Sequence, residues 1–121
     1  MYLTKSIHDG KKKHQMVGLL DAETKMTKKM TLNYTEGRIN KQSIISNGSQ
    51  KLHGHEFHFS EVNALPKDVK FAYDLKIGKG IKNGKDGLIL YNTLASYGHL
   101  YFDSSNFAKH FVSNSVKFSR R

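Results

Sequence analysis

The feature that most constrains the fold is a period-two alternation of residue types, which recurs in several short runs. The longest run is Leu52–Val62. One set of alternating positions holds His55, Phe57 and Phe59, and the other holds Gly54, Glu56, His58 and Ser60. Successive side chains of a strand point to opposite faces, so this run predicts a β-strand with two chemically different faces.

Further strands are predicted where apolar or alternating runs are bounded by turn residues. These runs are Met16–Leu20, Met30–Thr35, Phe71–Ile77, Gly87–Tyr91 and Thr93–Tyr97. In Met30–Thr35 the side chains of Met30, Leu32 and Tyr34 share one face, as in a half-buried strand. A turn at Glu36-Gly37 is expected to lead into Ile39–Ile45 as the antiparallel partner. Further turns are predicted at His8–His14, at Asn47–Ser49 and in the glycine-rich segment Gly78–Gly87.

Helical signals occur at the two ends of the chain. Met1–Ile7 is interpreted as the end of a helix that lacks a capping residue. Asp103–Asn106 offers several N-cap residues, and Phe107, Phe111 and Val112 begin an apolar stripe at helical spacing that runs to about Val116. The 121 residues are enough for one domain. A strand-rich chain with one closing helix is expected to be part of a larger fold.

The charge of the chain raises the question of nucleic-acid binding. Lys and Arg number 20 against 10 Asp and Glu, a net charge of +10. The lysines are spread along the chain, and the residue best suited to bidentate phosphate contacts occurs only at Arg38, Arg120 and Arg121. This distribution favours a solvated basic surface, and a small nucleic-acid-binding protein stays as an alternative. No run approaches the roughly 20 apolar residues of a membrane span, and a soluble cytoplasmic protein is expected.

Histidine is dense in Leu52–Phe59, which raises the question of a metal site. His55 and His58 are three residues apart and face opposite sides of a strand, whereas zincins place two histidines four apart on one helical face. His53 and His55 share a side but have no third ligand, so no metal site is predicted. Two alternatives stay open. Either His55 is packed while Glu56 and His58 face outward, or Glu56 and His58 form a substrate-facing edge.

A second cluster, Tyr91–Phe102, contains His99. This histidine follows a predicted strand and precedes a capped helix, at a loop mouth where sites are usually built. Its spacing alone does not distinguish a structural role from a catalytic one.

Two stretches of the chain resemble the two C-terminal motifs of cobyrinate a,c-diamide synthases. They are Gly54-His-Glu-Phe-His-Phe-Ser60 and Asn92-Thr-Leu-Ala-Ser-Tyr-Gly-His-Leu-Tyr-Phe102. The nickel-sirohydrochlorin a,c-diamide synthases are similar. Met1-Tyr-Leu, Met16-Val-Gly-Leu-Leu and Met26-Thr-Lys-Lys also resemble this family, so the resemblance covers nearly the whole chain. It implies a strand-rich C-terminal portion, residues 1–121, of a flavodoxin-like α/β class I glutamine amidotransferase domain.

In this family a cysteine on a strand-to-helix turn attacks the amide of glutamine, and a histidine takes the thiol proton and later protonates the leaving ammonia. The ammonia passes to a synthetase domain, where ATP with Mg²⁺ activates a substrate carboxylate. By the motif match, His99 takes the catalytic histidine's role. Glu56 or His58 orients His99 or lines the glutamine pocket. Where the family usually has a second histidine this chain has Tyr101, which leaves His99 as the only candidate in the motif.

The chain contains no cysteine, which is the largest departure from the family. The resemblance places the nucleophile just upstream of Met1, so the chain is expected to be inactive alone. The expected partners are glutamine as ammonia source and a cysteine-bearing half or synthetase domain, with a homodimer or a rearranged fold as other ways to cover the missing half. The chain itself is expected to bind no cofactor. A non-catalytic remnant that acts as an interaction module is the other alternative.

Overall fold

The computed structural model describes residues 1–121 and contains eight strands followed by one α-helix. The strands are β1 (Thr4–His8), β2 (Lys13–Gln15), β3 (Leu20–Ile39), β4 (Gln50–Asn63), β5 (Lys70–Ile77), β6 (Lys85–Leu90), β7 (Thr93–Ala95) and β8 (His99–Leu100). A short 3₁₀ turn, Phe102–Ser104, precedes the helix α1 (Phe107–Ser119). The prediction of a strand-rich chain with a closing helix is confirmed.

The strands form one sheet in which the long strand β3 is the central element. The order β2-β1-β3-β5-β6-β7 describes the main path, and β4 pairs with β3 and with β8. Only the β1–β3 pairing is parallel, and the others are antiparallel. Because β4 bridges β3 and β8, it brings the histidine-rich stretch beside the stretch that contains His99.

Two small apolar clusters hold the sheet together. The larger consists of Ile39, Ile45, Leu52, Ala72, Tyr73 and Phe107. The smaller consists of Leu20, Ala22 and Leu88. Phe107 is the only buried residue of α1, and the Asn114 side-chain amide adds a 3.0 Å hydrogen bond to the Ile44 carbonyl. The helix is therefore anchored at its first turn and by one polar contact. It is too short and too polar to cross a membrane, and the chain has no other α-helix.

Three predicted elements of secondary structure are wrong. Met1–Ile7 contains strand β1, not a helix, because Thr4–His8 pairs with both β2 and β3. Met16–Leu20 is interrupted by Gly18, whose positive φ of 73° breaks an extended chain, and only Leu20 belongs to a strand. Ile39–Ile45 forms no partner strand: Ile39 ends β3, and β4 occupies the partner position.

Glu36-Gly37 lies inside β3 and is not a turn. A Cβ on Gly37 would lie 2.1 Å from the Asp74 carbonyl oxygen of β5. Glycine is therefore required here by the close approach of a neighbouring strand. A glycine inside a strand often marks such an approach.

The alternation along β3 and β4 is as predicted, but the faces are inverted. Leu32, Tyr34 and Phe57 are 58%, 86% and 54% exposed, whereas Glu56, His58 and Ser60 are buried. Met30, Leu32 and Tyr34 share one face as predicted, but that face is the exposed one. The alternative in which His55 is packed while Glu56 and His58 face outward is wrong. The inward face is instead filled by a hydrogen-bonded polar cluster. We call the other side, with Met30, Leu32, Tyr34, Phe57 and Phe59, the outer apolar face.

Candidate functional site

The inward face of β4 is built around the carboxylate of Glu56, which is fully buried. Its Oε1 accepts hydrogen bonds from the Lys79 backbone N–H at 2.5 Å and from the Asn33 side-chain amide at 3.0 Å. Its Oε2 faces the Gly80 backbone N–H at 3.1 Å and His58 Nε2 at 3.0 Å. An ionised carboxylate has about four acceptor sites, so these donors satisfy it completely.

The pKa of Glu56 reflects two opposing effects. Burial by itself raises the pKa, because a low-dielectric environment disfavours the charged form. The hydrogen bonds from Lys79, His58, Asn33 and Gly80 favour the carboxylate, and their sum holds the pKa below its ordinary value. Glu56 is therefore an ionised structural centre that ties β3, β4 and the segment after β5 together.

His58 lies beside this centre and is also buried. Its Nδ1 is 2.9 Å from the Ser60 carbonyl oxygen, and its Nε2 faces Glu56. Both ring nitrogens thus lie within hydrogen-bond distance of an oxygen atom. The ring of Tyr97 stacks on it with centroids 3.8 Å apart, and the Tyr97 hydroxyl is 2.8 Å from Ser60 Oγ. His58 thereby connects β4 to the segment that leads to His99.

The glycine-rich segment after β5 takes part in this cluster. The sequence predicts Gly78–Gly87 as a loop, and Gly78 to Gly84 does connect β5 to β6, while Lys85 onward belongs to β6. Gly80 has a φ of 65°, and a Cβ there would lie 2.6 Å from the Lys85 carbonyl oxygen. Glycine permits the tight turn that aims the Lys79 and Gly80 N–H groups at Glu56.

A second buried carboxylate, Asp86, holds the segment before His99. Its Oδ1 accepts a hydrogen bond from the Tyr97 N–H at 3.1 Å, and its Oδ2 accepts one from the Gly98 N–H at 2.8 Å. Burial raises the pKa of Asp86, the N–H donors oppose this rise, and the negative charge of Glu56 adds to it. Sequence reasoning missed Asp86, because it falls inside the predicted glycine-rich loop.

His99 lies in β8, directly opposite His55 of β4. The two rings are 4.8 Å apart between centroids and tilted by 58°. A Cβ on Gly54 would lie 2.1 Å from the His99 carbonyl oxygen, so glycine at this position lets β8 approach β4. The His99 side chain is exposed, as access to a substrate requires.

The structure brings Glu56 and His58 together but separates both from His99. Directly opposed residues of antiparallel strands share a face, so His99 lies on the face of His55, opposite to that of Glu56 and His58. None of the hydrogen bonds to Glu56 or His58 comes from His99. A direct orienting contact is thus absent. The link runs through Tyr97, which stacks on His58 two residues before His99.

The surroundings of the cluster offer a cleft but no metal site. A cleft of about 340 Å³ is lined by nine residues that include Asn33, Ser60, Lys79 and Lys29. Three of these, Asn33, Ser60 and Lys79, hydrogen-bond directly to Glu56 or His58. No group of three or more His, Asp or Glu side chains is placed to hold a metal ion.

Comparison with known proteins identifies the relatives of the chain. Residues 1–107 match the model of a CobB/CobQ-like glutamine amidotransferase domain. The chain is 46% identical over 105 residues to a cobyrinate a,c-diamide synthase of Sulfurisphaera tokodaii, covering 87% of this chain and 24% of that protein. It is 41% identical over 102 residues to that of Sulfolobus acidocaldarius, covering 84% and 23%. For Archaeoglobus fulgidus the identity is 36% over 119 residues, covering 97% and 26%. The chain thus spans about a quarter of the length of these curated relatives.

Proposed function

Because the chain belongs to the family of CobB/CobQ-like glutamine amidotransferase domains, we propose that residues 1–121 are the C-terminal part of such a domain and supply its catalytic histidine. The observation that carries the proposal is the placement of His99. It is exposed at the start of β8, it contacts His55, and the two residues before it are bound by Asp86. A fixed backbone with an accessible imidazole is what a general base requires.

In the proposed mechanism His99 acts with a cysteine that this chain does not contain. The imidazole takes the thiol proton, and the thiolate attacks the glutamine amide carbon. The protonated imidazole then donates its proton to the departing ammonia, which leaves a glutamyl thioester that water hydrolyses. A Cys–His pair works because the imidazole lowers the thiol pKa and raises the thiolate fraction. The cysteine comes from a partner polypeptide or a further segment.

The name of the relatives indicates the acceptor of the ammonia. Cobyrinate a,c-diamide synthases amidate carboxylates of a corrinoid, and we propose the same class of acceptor here. ATP and Mg²⁺ act in the synthetase part of this assembly, because a carboxylate must be activated before ammonia attacks it. This chain contributes only the glutaminase step.

Glu56 and His58 are proposed to shape the glutamine pocket through the elements they hold. The cleft beside them is lined by the charged residues Lys29, Lys79 and Glu61, by the apolar Met30 and Leu32, and by Thr27, Thr31, Asn33 and Ser60. Ammonium and amide groups suit the carboxylate and polar atoms of an amino acid. Because the Glu56 oxygens are already satisfied, its contribution is to fix the pocket wall.

The experiment is a glutaminase assay on a complex. The chain is co-expressed with the remaining three-quarters of the Sulfurisphaera tokodaii relative, and ammonia release from glutamine is measured. We expect activity in this complex and a loss of about 100-fold or more in His99→Ala, the effect typical of a removed general base. His14→Ala, which removes an exposed histidine on β2, is the control. Activity that is intact in His99→Ala contradicts the assignment of the base.

A second candidate function, a non-catalytic interaction module, is favoured by the outer apolar face. Five large apolar side chains are exposed there on two neighbouring strands, at 40% or more each. Contiguous exposed apolar surface of this kind marks interaction sites. The same co-expression separates the two functions, since a module forms the complex but releases no ammonia.

A further inference from the structure

The segment that precedes His99 is held by an unusual buried group. Asp86 is 1% exposed, and none of the ion pairs of the chain includes it. Its side chain is bonded by the backbone N–H groups of Tyr97 and Gly98. Burying a carboxylate without a cation costs free energy, so a group that only filled space here would be better apolar.

Asp86 is packed so closely against Gly98 and Gly80 that a side chain at either glycine would crowd it. A Cβ on Gly98 would lie 3.0 Å from Asp86 Oδ2, and a Cβ on Gly80 would lie 2.9 Å from the Asp86 Cβ. Gly98 has no positive φ, so its backbone does not demand glycine. The absence of a side chain at position 98 therefore serves the close approach to the carboxylate.

A second set of contacts fixes the same short segment before His99. Tyr97 stacks on His58, and its hydroxyl reaches Ser60 Oγ. Backbone and side chain of Tyr97 are thus fixed separately, the first by Asp86 and the second by β4. His99 follows two residues later, and its ring ends 4.8 Å from that of His55.

We propose that Asp86 is a positioning residue for His99, acting through its hydrogen bonds to the Tyr97 and Gly98 backbone. This inference rests on the proposed function, in which His99 is the base. Asp86 touches neither substrate nor the reacting atoms. It sets the direction in which the chain enters β8 and hence where the imidazole stands. Displacing a catalytic group by about 1 Å costs on the order of 100-fold in rate.

The first test is NMR spectroscopy of the full chain, which needs no partner. In Asp86→Asn, one N–H loses its acceptor because the new amide NH₂ is a donor. We expect the Tyr97 and Gly98 amide proton resonances to move upfield and the cross-relaxation between the His55 and His99 rings to weaken. Asp68→Asn, at an exposed aspartate, is the control. Unchanged Tyr97, Gly98 and His99 signals in folded Asp86→Asn overturn the proposal.

Gly98→Ala perturbs the same contact from the opposite side, and it decides the question if Asp86→Asn does not fold. The added methyl group is expected to lengthen the N–H contact to Oδ2 and to change the same resonances. A Gly98→Ala chain whose His55–His99 cross-relaxation equals that of the wild type contradicts the proposal.

The second test uses the co-expressed complex and separates this proposal from the proposed function. We expect kcat for glutamine hydrolysis to fall 10- to 100-fold in Asp86→Asn with KM nearly unchanged, because the base is misplaced while the glutamine pocket is intact. A fall in kcat without any NMR change at His99 overturns the positioning role. Displaced His99 signals with an unchanged kcat contradict instead the role of His99 as the base.

Discussion

At the scale of single residues, the candidate site depends on two buried carboxylates, each of which accepts hydrogen bonds from two backbone N–H groups. Glu56 binds the N–H groups of Lys79 and Gly80, and Asp86 binds those of Tyr97 and Gly98. Each carboxylate thereby fixes a loop that has no regular hydrogen-bond ladder of its own. Their pKa values shift in opposite directions: burial outweighs the N–H donors of Asp86, whereas the donors of Glu56, which include Asn33 and His58, outweigh its burial.

Replacing Glu56 by Gln is expected to destabilise the fold. The amide NH₂ of Gln is placed against N–H donors that have no other acceptor, and a buried unsatisfied polar group costs about 1–3 kcal/mol. Urea denaturation at neutral pH measures the change in the free energy of unfolding. The control is Glu61→Gln at the exposed glutamate of the same strand, for which we expect a change within about 0.5 kcal/mol.

Glu56→Gln also tests how the free energy of unfolding depends on pH. The pKa of Glu56 in the folded chain lies below its ordinary value of 4.5, so the unfolded chain binds the proton more tightly. The stabilisation from the ionised carboxylate is therefore full above the ordinary value and is lost as the pH falls through the folded-state pKa. We expect this acid-side loss to be smaller in Glu56→Gln. Parallel pH profiles of the two chains contradict the assignment.

At the scale of elements, the sequence predicts strand positions better than strand environments. The alternating runs correctly locate β4 and β5, and the apolar runs locate β6 and β7, because alternation, apolar runs and turn residues are local signals. The inversion of faces in β3 and β4 is a tertiary effect: polar side chains are buried there because donors from distant segments reach them. No pattern within Leu52–Val62 predicts that the N–H groups of Lys79 and Gly80 bind Glu56.

In the candidate site, too, the sequence indicates individual residues but not the contacts between distant segments. The motifs single out Glu56, His58 and His99, and the structure joins the first two through one hydrogen bond. The contact between His55 and His99 depends on β8 pairing with β4, which a two-residue strand does not reveal in sequence. The burial of Asp86 could not be predicted from the sequence, because it is set by the strands and loops around this residue.

The inverted faces of β4 give a prediction that compares two positions of one strand. Leu52 is fully buried and Phe57 is 54% exposed. We expect Leu52→Ala to lower the free energy of unfolding by about 2–5 kcal/mol, the range for buried leucines. Phe57→Ala is expected to cost about 1 kcal/mol, chiefly its edge-to-face contact with Phe59. Equal losses in urea denaturation contradict the assignment of the faces.

At the scale of the whole molecule, the chain carries the histidine of the proposed catalytic pair and an apolar face that nothing in the chain covers. His99 and His55 lie on the same side of β4 as Phe57 and Phe59. The net charge of +10 opposes the association of such surfaces, because copies of the chain repel one another. Catalysis and association are thus expected to involve the same side of the sheet.

The outer apolar face is expected to bind a hydrophobic dye. We predict that the fluorescence of anilinonaphthalene sulfonate rises with the wild-type chain and rises less with a Phe57→Ser, Phe59→Ser double variant, because exposed aromatic surface is removed. Phe111→Ser on α1 serves as the control, because Phe111 is 45% exposed and lies beside Ile44, Ile45 and Tyr73 of the other side of the sheet. Equal dye binding by all three chains contradicts an accessible outer face.

The most direct test of the central claim, that His99 pairs with a cysteine from outside the chain, is the reactivity of that cysteine. In the co-expressed complex, the rate of alkylation of the nucleophilic cysteine by iodoacetamide is followed by mass spectrometry as a function of pH. With His99 present we predict a midpoint well below about 8.5, the ordinary pKa of a thiol, and a return toward that value in His99→Gln. The same midpoint in both complexes would contradict the pairing of His99 with the cysteine.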